Sequence, residues 1–229
     1  MFLSKLILNM RDRQARSDLA RPYELHRTLM NRYPYPRVRD RCDLLFRVES
    51  TRTGPPVVLV QTRDAPDWSS LPPDYLLQRA ESRPLDLVIS DGQRLRFRLR
   101  ANPTKRVAAK NEKLGAVMAG KRVGMLSETE QIRWLLRKGE TGGFRIPGSW
   151  VDAKHPETGG EVQLPNFRVD VVPEGSDRNG KPGHGGVFLA VRFEGVLEVT
   201  DTARLQQTVA EGIGSAKAFG FGLLSLAPT

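Results

Sequence analysis

The sequence predicts an α+β chain made of two halves with the same element order. Three observations carry this. Most apolar segments are strand-length and are separated by helix-period stretches. The order β-α-β-β-α-β can be read twice. The turn SDGQ (90–93) lies between the two readings. Composition agrees. The chain has 229 residues, 39% of them hydrophobic, with 21 glycines, which suits a globular core and excludes collagen-like or wholly disordered chains.

In the first half, FLSKLILN (2–9) reads as a strand and residues 18–33 as a helix. Asp18 can cap it, Pro22 suits its first turn, and Leu19, Leu25, Leu29 and Met30 recur at helical spacing. PYPR (34–37) stops it, because a residue before proline avoids the helical region. DLLFRVES (43–50) and PPVVLVQT (55–62) form a hairpin through STRTG. SSLPPDYLLQRA (69–80) is expected as a short helix and LDLVI (85–89) as a strand.

In the second half, RLRFRLRA (94–101) alternates strictly and is a strand. Residues 102–125 are basic and aperiodic, a mobile cationic loop carrying Lys105, Arg106, Lys110 and Lys113. SETEQIRWLLRKG (127–139) is a helix with a capping box, Ser127 and Glu130. GFRI and SWVDA suggest strands or a hairpin, and 174–186 a flexible hairpin tip. GVFLAVRFEGVLEVT (186–200) is strand-rich, TARLQQTVAEG (202–212) helical, and AFGFGLLSL (218–226) a last strand. The economical reading is two tandem ferredoxin-like (RRM-like) βαββαβ domains, 1–90 and 91–229.

Lys and Arg number 36 against 26 Asp and Glu, a formal net charge of +10, which points to an anionic partner, nucleic acid first. The single cysteine, Cys42, permits no internal disulfide and no Cys-x-x-Cys pair, and no apolar run reaches membrane-span length. The expected compartment is the cytoplasm, with no membrane partner. No motif calls for a metal or a cofactor. His155-Pro-Glu157 mimics a zinc deaminase motif without its P-C-x-x-C, and His155 and His184 lie in polar loops.

Three signals could carry chemistry. Arg94, Arg96, Arg98 and Arg100 lie on one face of a strand, roughly 6.6 Å apart. They form either a surface for a polyanion or a solvated face with acidic cross-strand partners. The run Gly212-Ile-Gly214-Ser215-Ala-Lys217-Ala-Phe-Gly220 follows a helix and offers amides, a hydroxyl and a cation. It is a helix cap, and also a plausible phosphate cradle. Tyr23 and His26 are three apart and share a helix face. Periodicity alone favours a half-buried aromatic pair over a catalytic one.

Together these pieces resemble the CasE family of CRISPR-repeat endoribonucleases. The resemblance rests on FLSKLILN, DLARPYELHRTL (18–29), PPVVLVQT with PDWSSL, LRFRLRANPTKR (95–106) and GIGSAKAFGFGLLSLAP, in that order along nearly the whole chain. It implies two ferredoxin-like domains and cleavage of precursor CRISPR RNA at the 3′ base of the repeat hairpin. It also implies retention of the product with other Cascade subunits, and Tyr23 and His26 as the catalytic pair. The 2′-hydroxyl would attack without a metal, leaving a 2′,3′-cyclic phosphate and a 5′-hydroxyl. His26 is assigned general acid. The expected RNA-binding set is Arg27, the four ladder arginines, Lys105, Arg106, Gly212, Gly214, Ser215 and Lys217. A non-catalytic RNA-binding module and a structural ribonucleoprotein subunit are the alternatives.

Overall fold

The computed structural model describes residues 1–31, 44–49, 53–107, 120–154, 159–179 and 186–229. Cys42, Lys110, Lys113, His155, His184, the PYPR stop and most of the STRTG turn lie outside these residues. Contacts divide the chain into two units. One comprises Met1–Val88, Arg178–Val187 and Gln206–Leu224, the other Ile89–Asp177, Phe188–Leu205 and Ser225–Thr229.

The first unit is built on β1 (Phe2–Ile7), β2 (Leu44–Glu49), β3 (Val57–Thr62) and β4 (Glu81–Pro84), in the order β2-β3-β1-β4 with antiparallel pairing throughout. This is the order of a ferredoxin-like sheet. Period-2 alternation puts Leu6, Phe46, Val58 and Val60 on one face, where they are fully buried with Ala15, Leu25 and Leu29 of two helices.

Those helices correct the single helix expected over 18–33. α1 (Arg13–Leu19) is capped by Asp12, whose side chain accepts from the Ala15 N–H at 2.7 Å, and α2 (Pro22–Asn31) begins at proline. The break falls at Arg21 because a residue preceding proline is disfavoured in the helical region, while Pro22 suits a first helical position. Asp18 is therefore not a cap. It is buried, and its Oδ2 accepts the Tyr75 hydroxyl at 2.9 Å and the Thr28 hydroxyl at 2.8 Å. Burial, then the Asp18 charge, pushes the Tyr75 phenol well above its ordinary value.

The helix expected over 69–80 does not form. A single 3-10 turn covers Trp68–Ser70, and Leu71 is extended (ψ 152). Pro72 and Pro73 supply no N–H donors, and Pro72 forces the residue before it out of the helical region. The chain then runs beside β1, with Leu77 N–H donating to Ile7 O at 2.9 Å, and β4 lies at 81–84 rather than 85–89.

The second unit holds β5 (Arg94–Ala101), as expected, then β6 (Thr104–Arg106) and β7 (Arg122–Gly124). β6 and β7 pair, so the ends of the expected loop are a two-stranded ladder. α3 (Glu128–Gly142) is capped by Ser127, whose side chain accepts from the Glu130 N–H at 3.3 Å, and its Trp134 stacks on Phe193. β8 (Phe144–Arg145), β9 (Gly148–Lys154), β10 (Glu161–Phe167), β11 (Val169–Asn179) and β12 (Gly186–Val199) follow. β11 thus covers much of the stretch expected as a loop tip; SWVDA is β9, as expected, and it forms a hairpin with β10, a strand that the sequence reading did not include. α4 (Thr202–Glu211) precedes β13 (Leu224–Pro228), which starts six residues later than expected because Lys217–Phe219 form a 3-10 turn. The sheet order β11-β12-β5-β13 repeats that of the first unit.

Candidate active site

Tyr23 and His26 lie on the same side of α2, with ring centroids 6.4 Å apart. Leu25 and Leu29 take the buried side, which leaves Tyr23 42% exposed and His26 half-buried. Beneath His26 is the Phe46 ring of β2, stacked at 6.2 Å and 19°. Against Tyr23 lies Phe219, at 5.5 Å. Phe219 belongs to the glycine-rich run, so the first unit brings that run to the Tyr23/His26 helix.

The segments that lead into and out of the run are seated on the face of β2 and β3 opposite α2, while Phe219 and Gly220 reach Tyr23 and Phe46 on the α2 side. Gln61 Nε2 donates to Val209 O at 2.7 Å and Arg47 Nη1 to Leu223 O at 3.1 Å, both buried. Arg47 is held in turn by Glu49 at 2.6 Å. At Gly212 (φ 75) an added Cβ would meet both Leu45 methyls at 2.8 Å, so this seat requires glycine. The loop closes on itself through Ile213 N–H to Gly222 O at 2.9 Å.

Not every amide of the run is open. Gly212 N–H donates to Thr208 O and Gly220 N–H to Lys217 O. The backbone N–H groups of Gly214, Ser215 and Lys217 donate to nothing among the described residues, and the Lys217 ammonium has no acidic partner there. Ala216 between them is left-handed (φ 63), a conformation that costs an L-residue about 1–2 kcal/mol. Successive free amides around a left-handed residue make an anion-binding concavity.

The arginine ladder has a different character. β5 pairs with β12 so that Arg94 faces Glu198 and Arg98 faces Glu194. Arg94 meets Glu198 at 3.5 Å, Arg98 meets Glu194, and Arg100 meets Glu174 at 2.8 Å. Arg96 donates to the Pro228 carbonyl at 3.0 Å. Of the two readings of the ladder, acidic partners are what β11 and β12 supply. Hydrogen bonding from Arg145, with Arg94 adding, holds Glu198 below the usual carboxylate range. Arg27 pairs with Glu24 at 2.9 Å, and Lys105 with Glu130, whose carboxyl is lowered chiefly by that hydrogen bond. Arg106 stands directly opposite Arg122.

Sequence reasoning missed Phe46 and Phe219, the two rings that position the pair, because both look like ordinary strand hydrophobes. It also missed Arg47 and Gln61, which as polar residues inside buried strand segments were the available signal. Among the described residues no three His, Cys, Asp or Glu side chains gather as a metal site, and no helix is long and apolar enough to cross a membrane.

A tandem ferredoxin-like chain carrying a Tyr/His pair beside an anion-binding loop has the makings of a nucleic-acid-processing protein. The model of the CRISPR-associated protein family matches residues 1–228. The chain is 44% identical to the CRISPR-associated endoribonuclease Cse3 of Thermus thermophilus and 32% identical to the CRISPR system Cascade subunit CasE of Escherichia coli, in each case over all of both chains. The structure of Thermus thermophilus Cse3 bound to an RNA representing a pre-cleavage complex superposes with a TM-score of 0.79 at 40% identity, covering 99% of this chain and 98% of that one. The chain belongs to the CasE family of CRISPR-associated proteins.

Proposed function

We propose that this chain is a metal-independent endoribonuclease that cuts precursor CRISPR RNA at the 3′ base of the repeat hairpin and keeps the product as a Cascade subunit. It acts in the cytoplasm, in keeping with its lone cysteine. In this reading residues 1–90 carry the catalytic helix and 91–229 the basic strand and the glycine-rich run. One observation carries the proposal: Tyr23 and His26 share one side of α2, and Phe219, packed against Tyr23, belongs to the same loop as the open amides of Gly214, Ser215 and Lys217.

The chemistry follows from these groups. The 2′-hydroxyl upstream of the scissile phosphate is the nucleophile already in reach of phosphorus. Tyr23, exposed and braced by Phe219, orients that hydroxyl or donates to a phosphate oxygen. The amides and Lys217 receive the charge that grows on the phosphoryl oxygens. His26, resting on Phe46, protonates the departing 5′-oxygen. The 2′-hydroxyl releases its proton to solvent water as its bond to phosphorus forms and the bond from phosphorus to the 5′-oxygen breaks, which leaves a 2′,3′-cyclic phosphate and a 5′-hydroxyl and returns His26 to its neutral form.

The test uses a labelled repeat hairpin and its analogue with one 2′-deoxy nucleotide before the cut. The unmodified RNA is expected to be cut in excess chelator, and the analogue to bind but stay intact. His26→Ala is expected to slow single-turnover cleavage by about 10²–10⁴-fold, and Tyr23→Phe by less. Cutting of the deoxy analogue at the same bond, or a 5′-phosphate product, would show that water attacks and would overturn the mechanism.

A further inference from the structure

Most cations singled out from sequence carry an acidic partner, whereas α1 and its flanks do not. Arg11, Arg13, Arg16 and Arg21 are all exposed, and none forms an ion pair among the described residues. The two acids of the same stretch are engaged by the fold. Asp12 caps α1 through the Ala15 N–H, and Asp18 is buried under Tyr75 and Thr28. Four guanidinium groups within eleven residues are thus left without a counter-charge.

They stand on α1 and its two flanks. Arg13 and Arg16 are three apart on the helix and so share a face. Arg16 Nη1 donates to Met10 O at 2.9 Å and Arg11 O at 2.8 Å, which holds its guanidinium against the backbone that leads into α1. Arg21 ends the set, and its carbonyl accepts the Leu25 N–H at 3.1 Å, so it stands within one turn of Tyr23 on α2.

We infer that these arginines bind the single-stranded RNA that continues 3′ of the scissile phosphate. The inference rests on the nuclease reading above, which puts that phosphate at Tyr23 and His26. The hairpin stem lies on the upstream side of the cut, so the strand leaving the phosphate the other way is the downstream flank. Four cations gathered on one short helix and its flanks suit the phosphates of one strand, whereas a duplex presents two. Isolated arginines held apart from carboxylates also suit a backbone whose charge, rather than base sequence, is read. The flank would then be held while the bond breaks, and released afterwards by dilution and salt.

The experiment uses the full chain and the uncleavable 2′-deoxy repeat RNA, once ending at the base of the hairpin and once with a downstream flank of six nucleotides. Binding is measured across a salt series for wild type and for the combined variant Arg11→Gln, Arg13→Gln, Arg21→Gln. Arg16 is left in place because it holds two backbone carbonyls. In wild type the flank is expected to tighten binding and steepen the slope of log K against log salt. In the variant the flank should add little, with the slope lower by roughly 0.7 per lost contact, or about two units for three. Hairpin-only RNA should bind both proteins alike. If the variant weakens on both RNAs equally, the arginines grip the stem and the inference fails; if it weakens on neither, they grip no RNA and the inference fails. Because the RNA cannot be cut, neither outcome depends on the nuclease reading, which cleavage by the wild type decides separately.

Discussion

Replacing Gly220 by alanine would separate backbone strain from displacement of the wall behind His26. Gly220 has φ 80, and alanine in this left-handed conformation costs about 1–2 kcal/mol. The added Cβ would also stand 3.1 Å from Cε2 of Phe46, so that ring must give by a few tenths of an ångström. Phe46 is fully buried, and His26 stacks on it at 6.2 Å, so the movement passes to the imidazole. Gly92 supplies the control: it has φ 78, and its Cβ would meet nothing within 4 Å. Both variants should lose about 1–2 kcal/mol, a shift of roughly 2–4 °C in Tm per kcal/mol for a chain of this size. Only Gly220→Ala should slow single-turnover cleavage of the repeat hairpin. Since a 1 Å misplacement can cost about 10²-fold, a shift of tenths should cost about 10-fold, with hairpin affinity changed by less than about two-fold. Equal rates for the two variants at equal loss of Tm would refute the claim that Phe46 sets the position of His26.

Two other perturbations follow from the charge arrangement and the buried tyrosine. Lys217→Gln should reduce the slope of log K against log salt for hairpin binding by roughly 0.7–0.9, while Arg94→Gln, whose cation already serves Glu198, should leave it nearly unchanged; a salt series by filter binding checks both. The Tyr75 phenol is raised above its ordinary value near 10, so the fold favours its neutral form. That contribution is complete below pH 10 and is lost as the pH rises beyond it, at about 1.4 kcal/mol per pH unit. Urea unfolding between pH 9 and 11 should show this slope in wild type and lose it in Tyr75→Phe, which should also be less stable by about 1–3 kcal/mol at neutral pH because Asp18 loses a donor.

Elements governed by local pattern were legible in the sequence. β5 follows from eight strictly alternating residues, and α3 from Ser127 and Glu130. The apolar spacing of 69–80 was a false signal, since two consecutive prolines outweigh hydrophobic periodicity. The proline at 22 was read as a first-turn residue, which it is, but of a second helix rather than of the one expected from Asp18. The pairing of ladder arginines with carboxylates was not visible, because Glu194 and Glu198 lie about a hundred residues away and meet Arg98 and Arg94 only through the β5–β12 register. In the site, the three-residue spacing of Tyr23 and His26 was legible. The rings that brace them were not, nor was Ala216, whose left-handed backbone no composition rule assigns to alanine.

The seating of residues 206–224 on the first unit has a consequence for biosynthesis. A chain emerging from the ribosome as far as residue 205 has β2 and β3 but lacks what covers them. Gln61 has no Val209 carbonyl, Arg47 no Leu223 carbonyl, and Leu45 no Gly212. The helix bearing Tyr23 and His26 precedes the loop proposed to receive a phosphate by about 190 residues of chain. Chains cut short before residue 206 therefore hold the Tyr23/His26 helix without the loop that the proposed mechanism sets beside it.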